Sequence, residues 1–265
     1  MQTSIRYKKQ FHIDLRDVDF KKQLKLSSLF SYFQEAANEA ADVLGYGIDR
    51  LQSEFHVGWV LVRMRVEIID MPIWNETITI ETWPLEPNRM EFHRDYLVFD
   101  SSGNIRIRAI SDWVIIDMDN RRLKRSEHIG LVYPEIIKER AIDKRLRKLN
   151  DFGNVEQSYK KVIGYSDIDI NGHLNNSNYI DYIMDCFPVE DHQKYITKAI
   201  EVHFLRELLP GETLTVRKDV SAIDSNLVYV DGVKEQGEMV FKAKLEIEKL
   251  NETDCSFDQR NNPIE

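Results

Sequence analysis

Cysteine is almost absent: the 265 residues contain only Cys186 and Cys255. Two cysteines supply neither a disulfide framework nor metal-ligand spacing, so no metal or cofactor is expected, and the expected compartment is a reducing cytoplasm. Long hydrophobic runs are missing as well, and no apolar stretch approaches the roughly 18 residues that a membrane-crossing helix needs. The opening MQTSIRYKKQ lacks the apolar core of a secretory signal. Positive charge is in deficit, with 36 Lys+Arg against 45 Asp+Glu and a formal net charge of −9, which argues against nucleic acid as a partner. What the chain does have is apolar material, 42% hydrophobic and 10% aromatic, enough to bury a substantial core.

It also has a repeat. Asp17-Val18-Asp19-Phe20-Lys21-Lys22-Gln23-Leu24 lies over Asp167-Ile168-Asp169-Ile170-Asn171-Gly172-His173-Leu174 at a constant offset of 150 (167 against 17). The offset holds through Phe30-Ser31-Tyr32-Phe33 over Ile180-Asp181-Tyr182-Ile183. Further on, Pro72 and Glu76-Thr77 resemble Pro210 and Glu212-Thr213, where the Glu-Thr offset has fallen to 136 (212 against 76). The second copy therefore has a shorter helix-to-strand region. Two copies of one unit, each of roughly 100 residues, fit the chain length.

Each copy reads as a strand, a helix and a run of hairpin-linked strands. In the first, apolar residues at helical spacing from Leu29 to Leu44 predict a helix over 27–44, closed by Gly45 and Gly47. β-Branched and aromatic runs predict strands over 8–15, 59–69, 77–84, 90–99 and 106–117. The second repeats the order, with a strand over 159–165, a helix over 177–187 and strands over 198–206, 213–223, 227–235 and 238–249. One helix crossed by a curved antiparallel sheet, made twice, is an α+β fold, the tandem or double hotdog. The expected division is a first hotdog over 1–130, a basic linker over 131–157, a second hotdog over 158–250 and a mobile polar tail over 251–265. The two halves already form a pseudo-dimer, which leaves a homodimer optional.

The polar groups differ between the copies. Asp169, Asn171 and His173 place a carboxylate, a carboxamide and an imidazole in five residues, just before a helix start. The exposed N–H groups of a helix N-terminus favour developing negative charge, so an acyl-transfer site suits this position. The first copy has Lys21 and Gln23 instead, and reads as catalytically silent. The bland readings are a turn for Asp169 and caps for Asn171, Asn175 and Asn176.

Asp169-Ile170-Asn171-Gly172-His173-Leu174-Asn175-Asn176 resembles the Asp-x-Asn-x-His-x-Asn-Asn signature of the acyl-acyl carrier protein (acyl-ACP) thioesterases of bacteria and plant plastids. Trp59-Val60-Leu61-Val62-Arg63-Met64 and Arg108-Ala109-Ile110-Ser111-Asp112-Trp113-Val114 resemble further family stretches, and the likeness runs over roughly residues 5–250. It implies hydrolysis of the thioester between a fatty acyl chain and the phosphopantetheine arm of acyl carrier protein, which ends chain elongation. It implies a catalytic set of Asp169, Asn171, His173 and Glu207, the last in Leu205-Arg206-Glu207-Leu208. Many plant members follow this Glu with a Cys, but here Leu208 stands in its place, which disfavours a cysteine nucleophile.

Glu207 is the expected general base, helped if partial burial raises its pKa, and His173 shares that role or orients the water. Asn171 and Asp169 position these groups, and backbone N–H groups at Asn175 and Asn176 are the oxyanion candidates. An acyl tunnel is expected along Phe30, Phe33, Ala37, Trp59, Met64 and Trp113, although such stripes are usually plain core. A basic stretch, Lys144, Arg145, Arg147 and Lys148, is the candidate docking surface for acidic acyl carrier protein, and Arg121-Arg122-Leu123-Lys124-Arg125 is a second one. Two other functions stay open. A hotdog hydratase or dehydratase would turn over enoyl thioesters without releasing acid, and a non-catalytic acyl-thioester sensor would bind without hydrolysis.

Overall fold

The computed structural model of the chain describes residues 5–133, 135 and 137–250. The expected tail, with Cys255, lies outside the described residues. The first half runs β1 (Tyr7–His12), α1 (Leu26–Val43), α2 (Ile48–Phe55), β2 (Val57–Ile68), β3 (Thr77–Pro84), β4 (Phe92–Phe99), β5 (Ile105–Asp117) and β6 (Leu123–Lys124). The second runs β7 (Glu156–Val162), α3 (Asn176–Met184), α4 (Val189–Lys194), β8 (Tyr195–Phe204), β9 (Thr213–Asp219), β10 (Leu227–Lys234) and β11 (Met239–Lys249).

All strands join one 11-stranded sheet in the order β1-β3-β4-β5-β2-β8-β11-β10-β9-β7, with β6 paired to β5. Read outward from the β2–β8 junction, the two halves have the same antiparallel order. The junction is polar on one face. Arg65 lies opposite Glu201 and is buried, with Nε 2.8 Å from Glu67 and Nη1 3.0 Å from Glu246. A buried charge stays in such a place only when it is paired.

α1 buries Leu26, Leu29, Phe30, Phe33, Ala36, Ala37 and Ala40, a stripe at helical spacing, while Ser31 and Glu35 face solvent. α3 buries Tyr179, Ile180, Tyr182 and Ile183 and packs on α1, so one core drawn from both halves lies between the helices and the sheet. The double hotdog is therefore the fold, as the repeat predicts. α3 has 9 residues against 18 in α1, which accounts for 9 of the 14 positions by which the offset shrinks from 150 to 136. The short helices α2 and α4 were not anticipated. α2 carries Ile48, Leu51 and Phe55 at helical spacing over only 8 residues, and α4 buries no residue.

One detail of the repeat is corrected. The N–H of Leu24 donates to the carbonyl of Pro72, and the N–H of Leu174 to that of Leu208. Pro72 therefore corresponds to Leu208 rather than to Pro210, and Met71 to Glu207.

The basic stretch between the halves is a packed strap. Ala141, Ile142 and Leu146 are buried against Trp83, Leu85, Leu97 and Ile110. Leu97 alternates with Tyr96 and Val98, which belong to the helix-side core, so the strap covers the opposite face of the sheet.

Candidate active site

The turn between β7 and α3 is locked by its own carboxylates. Asp169 donates its N–H to the His173 carbonyl at 2.9 Å, and its Oδ1 accepts the N–H groups of Asn171 at 2.8 Å and His173 at 3.4 Å. The Asn171 amide reaches Asp169 Oδ2 at 3.5 Å. Gly172, at φ +78°, supplies the left-handed backbone that the turn requires. Asp169 therefore acts on the backbone that presents Asn171 and His173. Below it, buried Asp167 accepts from the Tyr182 hydroxyl at 2.6 Å and the Gly164 N–H at 2.7 Å, with Lys161 at 3.1 Å. Burial opposes its charge, but these donors outweigh that and hold its carboxyl below the ordinary range. The pair of Asp167 with Tyr182 pins the turn to α3.

Asn175 caps α3: its Oδ1 accepts the N–H of Ser177 at 2.9 Å, and its own N–H donates to the Asp167 carbonyl at 2.9 Å. Its own N–H is thus spent inside the turn, which leaves the oxyanion role to its neighbour Asn176. Asn176, the first helical residue, lies on the cavity wall, and the first N–H groups of a helix have no partner within it.

Glu207 follows β8 beyond a bend at which Leu205 and Arg206 both donate to the Val240 carbonyl, at 2.8 and 3.0 Å. Its Oε2 lies 3.4 Å from His173 Nε2 and also pairs with Arg121 of the first half. The Glu207 side chain keeps 40% of its exposure, at the rim.

These groups border a cavity of about 450 Å³ drawn from both halves. Asp169, Asn171, His173, Asn176 and Glu207 line one part, and Ala37, Ala41, Trp59, Phe92, Trp113 and Ile116 supply apolar wall. Of the expected tunnel residues, Ala37, Trp59 and Trp113 are on this wall, whereas Phe30, Phe33 and Met64 are not. Those three are fully buried in the core, Phe33 with its ring 4.8 Å from that of Tyr96. On α1 the stripe at 34, 37, 38 and 41 faces the cavity, and Phe30 and Phe33 point past it. On β2 a bulge between Leu61 and Arg63 breaks the alternation, and the wall draws on 58–62.

Cys186 is buried away from the cavity, its thiol 3.6 Å from the Tyr182 carbonyl and its pKa pushed up to about 12 by burial. That suits a structural thiol. Lys144, Arg145, Arg147 and Lys148 line a separate depression with Glu201 and Lys244, Lys144 lying 3.3 Å from Glu201. None of the four borders the main cavity, whereas Arg121 does. Sequence reasoning missed the link from Arg121 to Glu207, and missed Gln34, Asn38, Arg94 and Tyr133 on the wall. Only Gln34 and Asn38 left a signal, as polar breaks in the apolar face of α1.

Two family models match the chain in tandem: the acyl-ACP thioesterase N-terminal domain over residues 4–138 and the acyl-ACP thioesterase C-terminal domain over 154–256. Oleoyl-acyl carrier protein thioesterase 2, chloroplastic, of Arabidopsis thaliana is 26% identical over 254 residues, covering 88% of this chain and 68% of that protein. Thioesterase 1 of the same plant is 28% identical, and this chain spans 61% of its length. The crystal structure of an acyl-ACP thioesterase from Bacteroides thetaiotaomicron superposes with a TM-score of 0.85 at 27% identity, covering 92% of this chain and 98% of that one. The 12:0-ACP thioesterase from Umbellularia californica shares the fold, with a TM-score of 0.80 at 23% identity over 94% of this chain and 99% of its own. Matched in both halves and in the order of its internal repeat, the chain belongs to the acyl-ACP thioesterase family.

Proposed function

We propose that the chain hydrolyses the thioester of a fatty acyl chain carried on acyl carrier protein, releasing the free acid and the carrier. The observation that carries this reading is the shared cavity: apolar wall from the first half runs to the Asn171–His173–Glu207 group of the second. In this reading the first half holds the acyl chain and the second does the chemistry. The oxygen of a water attacks the thioester carbon while Glu207, with His173 beside it, takes the proton. Asn171 and the N–H of Asn176 face the carbonyl oxygen as it becomes negative. The tetrahedral intermediate collapses with cleavage of the C–S bond, and the thiolate leaves and picks up a proton. Asp169 acts as a positioning residue.

For carrier docking we favour Arg121–Arg125 over the strap, because Arg121 borders the cavity and the strap residues do not. Arg122→Glu with Arg125→Glu should raise the KM for acyl-ACP at low salt, and Lys144→Glu with Arg147→Glu should leave it unchanged. The opposite result would return docking to the strap. A cytoplasmic setting rests on cysteine usage, while the plant relatives are chloroplastic. The test of the function is free fatty acid release from acyl-ACPs of graded chain length by wild type and Glu207→Gln. Release by wild type alone supports the scheme, release by both moves the base elsewhere, and release by neither overturns the reading.

A further inference from the structure

Arg94, on β4, is 8% exposed and borders the cavity, yet no carboxylate among the described residues pairs with it. Its one side-chain hydrogen bond among them runs from Nη1 to Thr82 Oγ1 at 3.3 Å. Nε and Nη2 have no partner and are not among the unpartnered atoms sealed from solvent, so they open onto the cavity. The nearby carboxylates are engaged elsewhere. Asp95, the next residue, takes Arg140 of the strap at 3.0 Å, and Asp112 takes His93 at 2.7 Å and Arg63 at 3.3 Å. A guanidinium keeps its charge at any working pH, and such a charge is seldom buried without a partner. The free N–H groups of Arg94 therefore depend on water in the cavity.

Its place in the sheet separates it from the reaction. Arg94 pairs with Ser111, Ser111 with Met64 and Met64 with Val202, so its row meets β8 five residues before Glu207. Three strand spacings separate β4 from β8, about 14 Å across the sheet. Trp59 on β2 and Trp113 on β5 give apolar wall on the strands between. Arg94 thus stands at the far end of the cavity from the thioester. Tyr133 borders the same cavity, and burial pushes its hydroxyl up to about 12, with Arg94 near enough to oppose the rise. A methylene chain growing toward this end meets a cation that it cannot pair. To touch Arg94, its methyl end must displace the water and leave the charge bare, which costs more than burying another methylene returns. We propose that Arg94 is a charged stop at the end of the acyl cavity. It sets the longest chain the cavity takes by the cost of dehydrating its charge rather than by bulk. This inference rests on the thioesterase reading and names the substrate limit of the same site. A chain ending in a carboxylate at that depth pairs with the guanidinium and escapes the limit.

The test uses the full chain as wild type, as Arg94→Met, which keeps the bulk without the charge, and as Arg94→Lys, which keeps a charge on a shorter body. Activity is measured as kcat/KM on pantetheine thioesters from octanoyl to octadecanoyl, beside the Kd of the matching thioethers and the Tm. On the first chain beyond the wild-type cut-off, Arg94→Met should gain about 10-fold in kcat/KM and in affinity. Arg94→Lys should stay within about 2-fold of wild type there. Wild type should also turn over the ester of that length with a terminal carboxylate about 10-fold better than its methyl-ended twin, and Arg94→Met should lose that advantage. An unchanged chain-length profile in a folded Arg94→Met would overturn the stop. So would a profile lengthened as much by Lys as by Met, which would assign the limit to bulk. If Arg94→Met fails to fold, the two chain ends compared in wild type decide, and no advantage for the carboxylate overturns the stop. Wild type inactive on every ester would sink the thioesterase reading itself, and the thioether affinities would still decide the stop.

Discussion

At Asp19 and at Asp169 a carboxylate accepts main-chain N–H groups two and four residues on: Lys21 at 2.8 Å and Gln23 at 3.0 Å in the first half, Asn171 at 2.8 Å and His173 at 3.4 Å in the second. Asp17 meets the Tyr32 hydroxyl at 2.9 Å as Asp167 meets that of Tyr182 at 2.6 Å. Even the left-handed residue is shared, Lys22 at φ +61° and Gly172 at +78°. The side chains carried on this common backbone then diverge. Lys21, its pKa lowered by burial, donates to the His192 carbonyl at 3.1 Å, across the boundary between the halves. Where Glu207 faces His173 at 3.4 Å, the first half has Met71, packed against the core. The turn is thus a structural device that both halves share, and in the proposed reading the chemistry is an addition made in one of them. An aspartate in the motif is therefore no evidence of catalysis by itself, because the half without Asn171, His173 and Glu207 counterparts has it too.

Paired substitutions sharpen that contrast. The largest effect is expected at the base: Glu207→Ala should lower kcat by about 100-fold or more, whereas Met71→Ala should leave kcat within a few-fold in steady-state assays. Comparable losses would show that both halves take part in the chemistry. Next come the turn carboxylates. Asp169→Ala and Asp19→Ala should each cost about 1 kcal/mol of stability in denaturant titrations. Only Asp169→Ala should also lower kcat, by about 10-fold, because it releases Asn171 and His173. Asn175→Ala should cost about 1 kcal/mol through loss of the α3 cap. Lys25, at the N-cap of α1, makes no side-chain cap hydrogen bond, so Lys25→Ala should cost less.

The smallest effect is one of pH. The Asp167 carboxyl titrates below its unfolded value of about 3.9, so its stabilisation is complete above that pH and is lost as pH falls through the folded value. Asp167→Asn should therefore lower Tm near neutrality, and the gap to wild type should close below about pH 4. A gap that persists unchanged in acid would assign the stabilisation to packing rather than charge.

The fold was legible because its signals are periodic. The α1 stripe, the alternating strands and the repeat each report on burial, which the sequence records directly. The polar members of the candidate site stand in a short local motif, which made their proximity legible. What remained hidden depends on facing. Phe30 and Phe33 share a helix with Ala37, and only the rotation of α1 against the sheet decides which of them meets the cavity. The bulge in β2 that turns Met64 into the core leaves no mark in composition. Arg121 reaches Glu207 across 86 positions of sequence and the junction of the halves, which no spacing rule records. Asn175, read both as a cap and as an oxyanion candidate, caps α3 through its Oδ1 on the Ser177 N–H, with its own N–H bonded to the Asp167 carbonyl.

The central claim is that one of two matching turns carries the reaction. The most direct test is free fatty acid release from acyl-ACP by His173→Ala beside its structural counterpart Gln23→Ala, each shown to be folded by its Tm. Near wild-type release is expected from Gln23→Ala, and a loss of about 100-fold or more from His173→Ala. Full release by a folded His173→Ala, or equal losses in the two variants, would contradict it.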